Sequence, residues 1–444
     1  MTTATNGHLP PEALALLREG LIRHLRPADL SPFNRTKERE EKIRSTIHRL
    51  LVEQGTVVPT DERVQGAMSQ LFGFGPLQPL VEDGEVSDIL VNGPDNVWVE
   101  RRGRLTQADV RFSSEKELRA LADWIVATFT GRGLSIAHPL VDARLLDGSR
   151  VNAVVPPVGG PYISIRKFNH LWLDLLPGGT HDKDWVTEGG LSMPMAEHLV
   201  ATVQARANTL VAGSTGAGKT TFLRSLAGYF DPNERIGVCE DTAELGLETP
   251  NQFHLEAVHP NEISGDAEQR TLDVGDLVAN SLRMRPDRLI VGEIRQSKDV
   301  HFVLRALHTG HDGSATTIHA SSAEEALFMM ELLARQAMKD MTTPDLRAYI
   351  AHAFDQIVVM RRLDTGVRVI REIASLNGVG PDGQYNLTTV FRATRDHETN
   401  EIQFEQVGEP DFSPRVRARF ELDAERAQLL SNVSSVRNRE ETTV

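Results

Sequence analysis

One stretch of eight residues constrains this chain more than any other. Gly213-Ser214-Thr215-Gly216-Ala217-Gly218-Lys219-Thr220 fits G-x-x-x-x-G-K-[ST] at every position. Glycines let the backbone curl until several N–H groups converge on one point, an arrangement that suits phosphate oxygens. An apolar strand pattern, Thr209-Leu210-Val211-Ala212, leads in. A helical pattern with Phe222, Leu223 and Leu226 leads out, so a positive helix N-terminus faces the same point. The spacing predicts a strand–loop–helix that binds a nucleoside triphosphate through residues 213–220 and Thr221. Lys219 is expected to reach the β- and γ-phosphates and the Thr220 hydroxyl to ligate Mg²⁺.

The surrounding sequence fits such a fold. From Leu191 onward, helical periods alternate with short apolar runs at 235–240, 289–291 and 315–318. That alternation implies a mostly parallel sheet covered on both faces. Capping signals are read at Ser322 with Glu325 and at Thr343-Pro344, and strands at 356–360 and 367–373 flank a turn at Asp364-Thr365-Gly366. Upstream the character differs. Residues 1–71 are helical in pattern, with Leu14, Leu17 and Leu21 on one stripe and a charged, solvated face at 37–42. Residues 72–168 mix short strands (88–91, 97–100, 104–110, 151–155, 162–168) with a helix capped by Ser114 and Glu117, an α+β pattern. Residues 169–190, with Pro177, Gly178 and Gly179, read as a linker; 191–394 form the α/β block, and 395–444 a charged, acidic, partly disordered tail.

Composition excludes several classes. Lys+Arg total 48 against Asp+Glu 62, a net charge of −14, which argues against coating nucleic acid by bulk charge. Aromatics at 5% are sparse for a base-stacking surface. The single cysteine, Cys239, excludes an internal disulfide framework. No run approaches the roughly 18 apolar residues of a membrane span, and no secretory leader pattern opens the chain. A cytoplasmic protein is expected.

Three further groups point to the same chemistry. Leu289-Ile290-Val291-Gly292 ends in Glu293, an acidic strand end suited to holding Mg²⁺ or poising a water, although Gly292 stands where an aspartate is usual. The strand ending at Cys239 leads into Glu240-Asp241, with Glu244 beyond; these carboxylates read either as a water or metal site or as helix N-terminal charge. Cys239 is expected to point to the other face, as a core thiol. His308, His311 and His319 lack the spacing of a zinc site; His319, ending a strand, is better placed to sense phosphate, and His308 to shape a turn.

With these residues, an ordered set of short motifs resembles one family. The set comprises Gly73-Phe74-Gly75-Pro76-Leu77, Val91-Asn92-Gly93, Glu100-Arg101-Arg102-Gly103, Asp147-Gly148-Ser149-Arg150-Val151-Asn152, Ile165-Arg166-Lys167-Phe168, the phosphate loop, Glu240-Asp241 with Glu244-Leu245, Arg283-Met284-Arg285-Pro286-Asp287, Gly292-Glu293-Ile294-Arg295, and Thr309-Gly310-His311 through His319-Ala320. It resembles the secretion and pilus-assembly ATPases of type II secretion, type IV pili and type IV secretion, most closely the CpaF/TadA branch of tight-adherence (Flp) pilus motors. The resemblance implies an α/β fold: a RecA-like P-loop NTPase C-terminal lobe, a separate N-terminal α+β lobe and a helical N-terminal extension. It also implies a homo-hexamer that binds ATP and Mg²⁺. Glu240, Glu293 and His319 fall in its catalytic motifs, with Thr220 and Glu293 toward the metal. Arg150 and Arg166, with Arg144 as a third candidate, are the N-lobe arginines expected at the phosphates. The partner it implies is a polytopic inner-membrane platform protein, approached peripherally from the cytoplasm, with no stable nucleic acid. Two other readings stay open: a DNA translocase or helicase, motivated by Arg101-Arg102-Arg104 and Arg283, Arg285 and Arg288, and a slow nucleotide switch that scaffolds a membrane complex.

Overall fold

Apolar periodicity builds the structure in two compact units, Met1–His170 and Leu171–Val444. The computed structural model describes residues 9, 11–30, 37–55, 58–101, 103–130, 133–168, 172–258, 271–396 and 401–421. The last dozen residues of the tail, expected to be disordered, together with Arg102 and Gly131, lie outside the described residues.

The first unit opens with four helices, α1 (Pro11–His24), α2 (Pro27–Leu30), α3 (Lys37–Gln54) and α4 (Asp61–Phe72). The stripe read from the sequence is their core: Leu17 and Leu21 of α1 are fully buried with Ile43, Ile47 and Leu51 of α3 and Leu71 of α4. After a 3₁₀ turn (Gly75–Leu77) and α5 (Gln78–Glu82) come β1 (Val86–Val91), β2 (Val97–Arg101), β3 (Arg104–Gln107), α6 (Glu115–Thr130), β4 (Leu140–Arg144), β5 (Arg150–Val154) and β6 (Tyr162–Arg166). The six strands form one sheet in the order β3-β2-β1-β6-β5-β4, antiparallel throughout. One face packs on α6: Ile89, Val91, Val151, Ala153, Ile163 and Ile165 meet Leu118, Ala122 and Ile125 in a single core. Side chains alternate along a strand, so the intervening residues, Arg150 and Arg166 among them, fall on the opposite face.

In the second unit, α7 (Met193–Gln204), β7 (Thr209–Gly213), α8 (Lys219–Ala227), β8 (Ile236–Glu240), β9 (Gln252–Glu256), α9 (Val274–Ser281), β10 (Arg288–Val291), α10 (Ser297–Leu307), β11 (Ala315–Ile318), α11 (Ala323–Ala337) and α12 (Thr343–Ala353) precede β12 (Gln356–Arg362), β13 (Arg368–Val379), β14 (Tyr385–Arg395) and β15 (Ile402–Gln406). Nine strands run in the order β15-β14-β13-β12-β7-β11-β10-β8-β9. The six from β12 to β9 are parallel, and β13 to β15 add antiparallel. Every residue of β7, β8, β10 and β11 is buried. Leu210, Ala212 and Cys239 join the core on one face, Val211 and Val238 that on the other. This is the doubly covered parallel sheet that the alternation predicts, and with its phosphate loop after β7 it is RecA-like.

Several local expectations shift. The cap of α12 is Thr342, which accepts from the Asp345 N–H; Pro344 is therefore the second helical residue rather than the first. Of two adjacent threonines, only Thr342 stands three residues before an N–H it can accept together with an acid it can bond, Asp345. At α6 and α11 the serine cap forms, but the glutamate carboxylate reaches back one residue further, to the N–H of Ser113 and of Ser321. No helix follows Asp241, so the reading of Glu240, Asp241 and Glu244 as helix N-terminal charge is set aside. Residues 172–190, read as linker, pack within the second unit. Trp185 is 2% exposed, its indole N–H donates to Ser225 Oγ at 2.9 Å, and the Gly190 carbonyl accepts from Ile370. Beyond 395, β15 pairs with β14, residues 414–421 are helical, and Phe412 and Val416 pack on Ala205 and Ala207. Among the described residues no helix is long and apolar enough to cross a membrane.

Replacing Trp185 with alanine is expected to cost about 3–5 kcal/mol, the range for a buried tryptophan. The denaturant midpoint of the second unit measures it.

Candidate active site

The loop 213–220 begins on the last residue of β7, in the middle of the sheet. Gly216 and Gly218 have φ of +74° and +96°, a region that only glycine enters without strain. Gly218 then caps α8, and Phe222 N–H bonds back to its carbonyl. Lys219, 9% exposed, donates to the Gly213 carbonyl at 2.9 Å and the Ser214 carbonyl at 3.3 Å. Burial lowers its pKa below the ordinary lysine value, opposed by the nearby Glu293 carboxylate. Thr220 and Thr221 follow on the first turn of α8, half-buried.

Parallel strands end together, so β10 and β11 deliver their terminal residues beside this loop. His319, just past β11, places Nδ1 3.4 Å from Lys219 Nζ and Nε2 2.5 Å from Glu293 Oε1. A proton on Nε2 and a lone pair on Nδ1 suit both neighbours. Glu293 Oε2 receives two N–H groups of Arg295, at 3.1 and 3.0 Å. Its Oε1 is buried and in close ionic contact with the imidazole of His319. A largely buried carboxylate grouped with a lysine ammonium and a histidine at the phosphate loop is a donor set that fits Mg²⁺-nucleotide chemistry. Arg295 also donates to Asp241 at 2.9 Å, tying the strand ends of β10 and β8. Burial works against its charge, yet Glu293 and Asp241 raise its pKa above the ordinary value.

Glu240 has a different surrounding. It is 2% exposed; Oε1 accepts the N–H groups of Glu244 and Leu245, both at 3.1 Å, and His254 Nε2 lies 2.9 Å from Oε2. Arg224 of α8 donates to the carbonyls of the same two residues. The Glu240 carboxylate therefore holds the loop after β8 against the helix of the phosphate site. Its neighbour explains the missing aspartate: a Cβ on Gly292 would lie 3.1 Å from Glu240 Cγ. The glycine leaves room for an acid supplied by the adjacent strand.

The other predicted residues separate. His308 stacks on Tyr349 and contacts its carbonyl, and His311 contacts the Ala306 carbonyl; both shape the turn before β11. Among the described residues no group of three or more His, Cys, Asp or Glu is placed to hold a metal. Cys239 is fully buried, and burial pushes its thiol up to about 12. Of the basic clusters, Arg288 is buried in an ion pair with Glu234, and Arg101 pairs with Asp83.

The first unit carries a row of its own. Cross-strand register sets Arg144 opposite Arg150, Arg150 opposite Arg166, and Arg166 opposite Asp88. Arg166 Nε donates to Asp88 at 3.1 Å. The register thus sets three arginines abreast on one face of the sheet, with Asp88 paired to the last. The Asp147-Gly148-Ser149 turn fixes it: Asp147 and Ser149 are fully buried, bonded to each other, and Ser149 Oγ accepts the Phe168 N–H.

Motif reading missed two groups. Arg295 sat inside a quoted motif but had no assigned role. Arg362 and Arg368, on β12 and β13, flank the phosphate loop: Arg368 Nε donates to the Gly216 carbonyl at 3.2 Å. The glycines were the available signal, since their bareness on that side implies a neighbour.

Fold and loop together define a P-loop nucleotide-binding protein with a second, antiparallel unit before it. The chain belongs to the type II/IV secretion system protein family, which it matches over residues 70–372. It is 37% identical over 336 residues to a putative conjugal transfer protein of Mycobacterium tuberculosis, covering 74% of this chain and 90% of that one. It is 33% identical over 317 residues to the type IV secretion system protein PtlH of Bordetella pertussis, covering 67% and 92%. The solved VirB11 ATPase of the Brucella suis type IV secretion system, in complex with sulphate, aligns at 25% identity and a TM-score of 0.36, covering 70% and 96%.

Two outcomes are expected. Gly292→Asp, which restores the usual acid, is expected to destabilise by about 1–3 kcal/mol through crowding against Glu240, visible as a lowered Tm. Cys239 is expected to resist a thiol-reactive dye in the native protein and to react only on unfolding.

Proposed function

We propose that the chain is an ATP-hydrolysing motor for pilus assembly or protein secretion, of the tight-adherence branch. In this reading it works as a homo-hexamer on the cytoplasmic face of the inner membrane, against a polytopic platform protein. One observation supports the enzymatic part: the largely buried Glu293 carboxylate gathered with His319 and Lys219 at the mouth of the phosphate loop.

Phosphoryl transfer to water needs positioning and charge neutralisation more than covalent chemistry. The N–H groups of 213–220 and the N-terminus of α8 cradle the phosphates. Lys219 exchanges its two carbonyl partners for β- and γ-phosphate oxygens. Glu293, oriented by Arg295, aligns the attacking water through Oε1, and His319 donates to a γ-phosphate oxygen. Mg²⁺, held by the Thr220 hydroxyl and from the side of Glu293, supplies charge neutralisation on the phosphate oxygens when bound. Glu240 positions the loop after β8. Arg150 and Arg166, with Arg144 beside them, neutralise charge from the first unit. An arginine on a separate unit contributes only when the units close, so closure follows the γ-phosphate and hydrolysis reverses it. That coupling makes mechanical work of a nucleotide cycle.

Steady-state phosphate release by the purified protein is the test. Lys219→Ala and Glu293→Gln are each expected to lower kcat at least 100-fold; full phosphate release by both would falsify the reading. Arg150→Ala and Arg166→Ala are expected to lose about 10³-fold, the lower end for arginines that act on a phosphoryl group, with ATP still bound. Wild-type protein that leaves bound ATP uncleaved for many minutes in a single turnover supports the switch instead.

A further inference from the structure

The phosphate loop has two flanks, and the chemistry described so far occupies one. Lys219, His319 and Glu293 gather on the side of β11 and β10, which is where the γ-phosphate belongs in the proposed function. On the other side, β12 pairs in parallel with β7, Met360 opposite Gly213, and the β12–β13 hairpin runs on past the loop. Its second pair beyond that point is Arg362 opposite Arg368.

Both side chains turn to the loop. Arg368 Nε bonds the Gly216 carbonyl at 3.2 Å, and its Cδ lies 2.8 Å from where a Cβ on Gly218 would stand. Arg362 Nη1 lies 3.2 Å from where a Cβ on Gly216 would stand. Two glycines of the motif are thus bare toward two guanidinium groups as well as free in φ. Like charges directly opposite on paired strands are unfavourable, and both of these lie against the phosphate loop. A guanidinium fork matches phosphate oxygens in a way no other side chain does.

We propose that Arg362 and Arg368 bind the nucleoside diphosphate part of the nucleotide, through its α- and β-phosphate oxygens, from the same unit as the phosphate loop. The proposal rests on the nucleotide reading of that loop. It assigns the two flanks different tasks: the β10–β11 side responds to the γ-phosphate, and the β12–β13 side holds what ADP and ATP share.

Calorimetric titration of the full chain with Mg·ADP, and with a non-hydrolysable ATP analogue, tests this. Arg362→Gln and Arg368→Gln are each expected to weaken both ligands alike by about tenfold or more, as for a lost hydrogen bond to a charged group. Arg368→Lys is expected to recover part of the loss, and the Tm without nucleotide to stay at the wild-type value. Wild-type affinity for ADP in both Gln variants overturns the proposal. So does a loss confined to the ATP analogue, or a loss matched by a fall of the nucleotide-free Tm in both. Lys219→Ala separates the two levels. If it too binds ADP with wild-type affinity, the nucleotide reading of the loop itself fails; if it alone loses binding, only the arginines are wrongly assigned.

Discussion

Everything in the second unit depends on the parallel pairing of β7 between β11 and β12. Each residue of β7 is buried and both edges are bonded, so the strand cannot tilt or slip without exposing backbone groups. A loop that departs from such a strand starts from a fixed point. Parallel neighbours also end at the same level, which brings His319 and Glu293 to Lys219 from sequence distances of 100 and 74 residues. The site is the C-terminal edge of a sheet, and its geometry is as rigid as that edge.

Much of this was legible beforehand because period and punctuation are local properties. The buried strands announce themselves as apolar runs, and the loop by its glycines. What escaped was set by tertiary neighbours. β4 and β9 are sheet edges with exposed positions, so they carry no strong pattern. β15 is short, polar and defined only by the strand beside it. Residues 172–190 contain turn formers and looked like a linker; a single buried tryptophan, invisible to periodicity, packs them on α8. At the site, the residue types at Glu293 and His319 were readable. The role of Gly292 was not, because the acid that fills its space comes from 52 positions earlier in the chain.

Both units pair arginines with acids and both also set arginines abreast. In the second, Arg288 meets Glu234, Arg295 meets Glu293 and Asp241, and Arg415 meets Asp355, while Arg362 faces Arg368. In the first, register sets Arg144, Arg150 and Arg166 abreast on the polar face of a sheet, with Asp88 at one end of the row. A chain of net charge −14 thus still gathers arginines locally, where the bulk count has no bearing.

The contact of Ser225 with the segment before it has a mechanical meaning. Ser225 lies on α8, the helix whose N-terminus carries Lys219, and its hydroxyl bonds the Leu173 carbonyl at 2.5 Å while receiving the Trp185 indole. The chain entering the second unit is therefore bolted to the phosphate-binding helix within three residues of the boundary at 170. A displacement of α8 along its axis acts on the backbone at Leu173 and on the Trp185 indole together. The load path from a bound phosphate to that segment is one helix, one hydroxyl and one carbonyl.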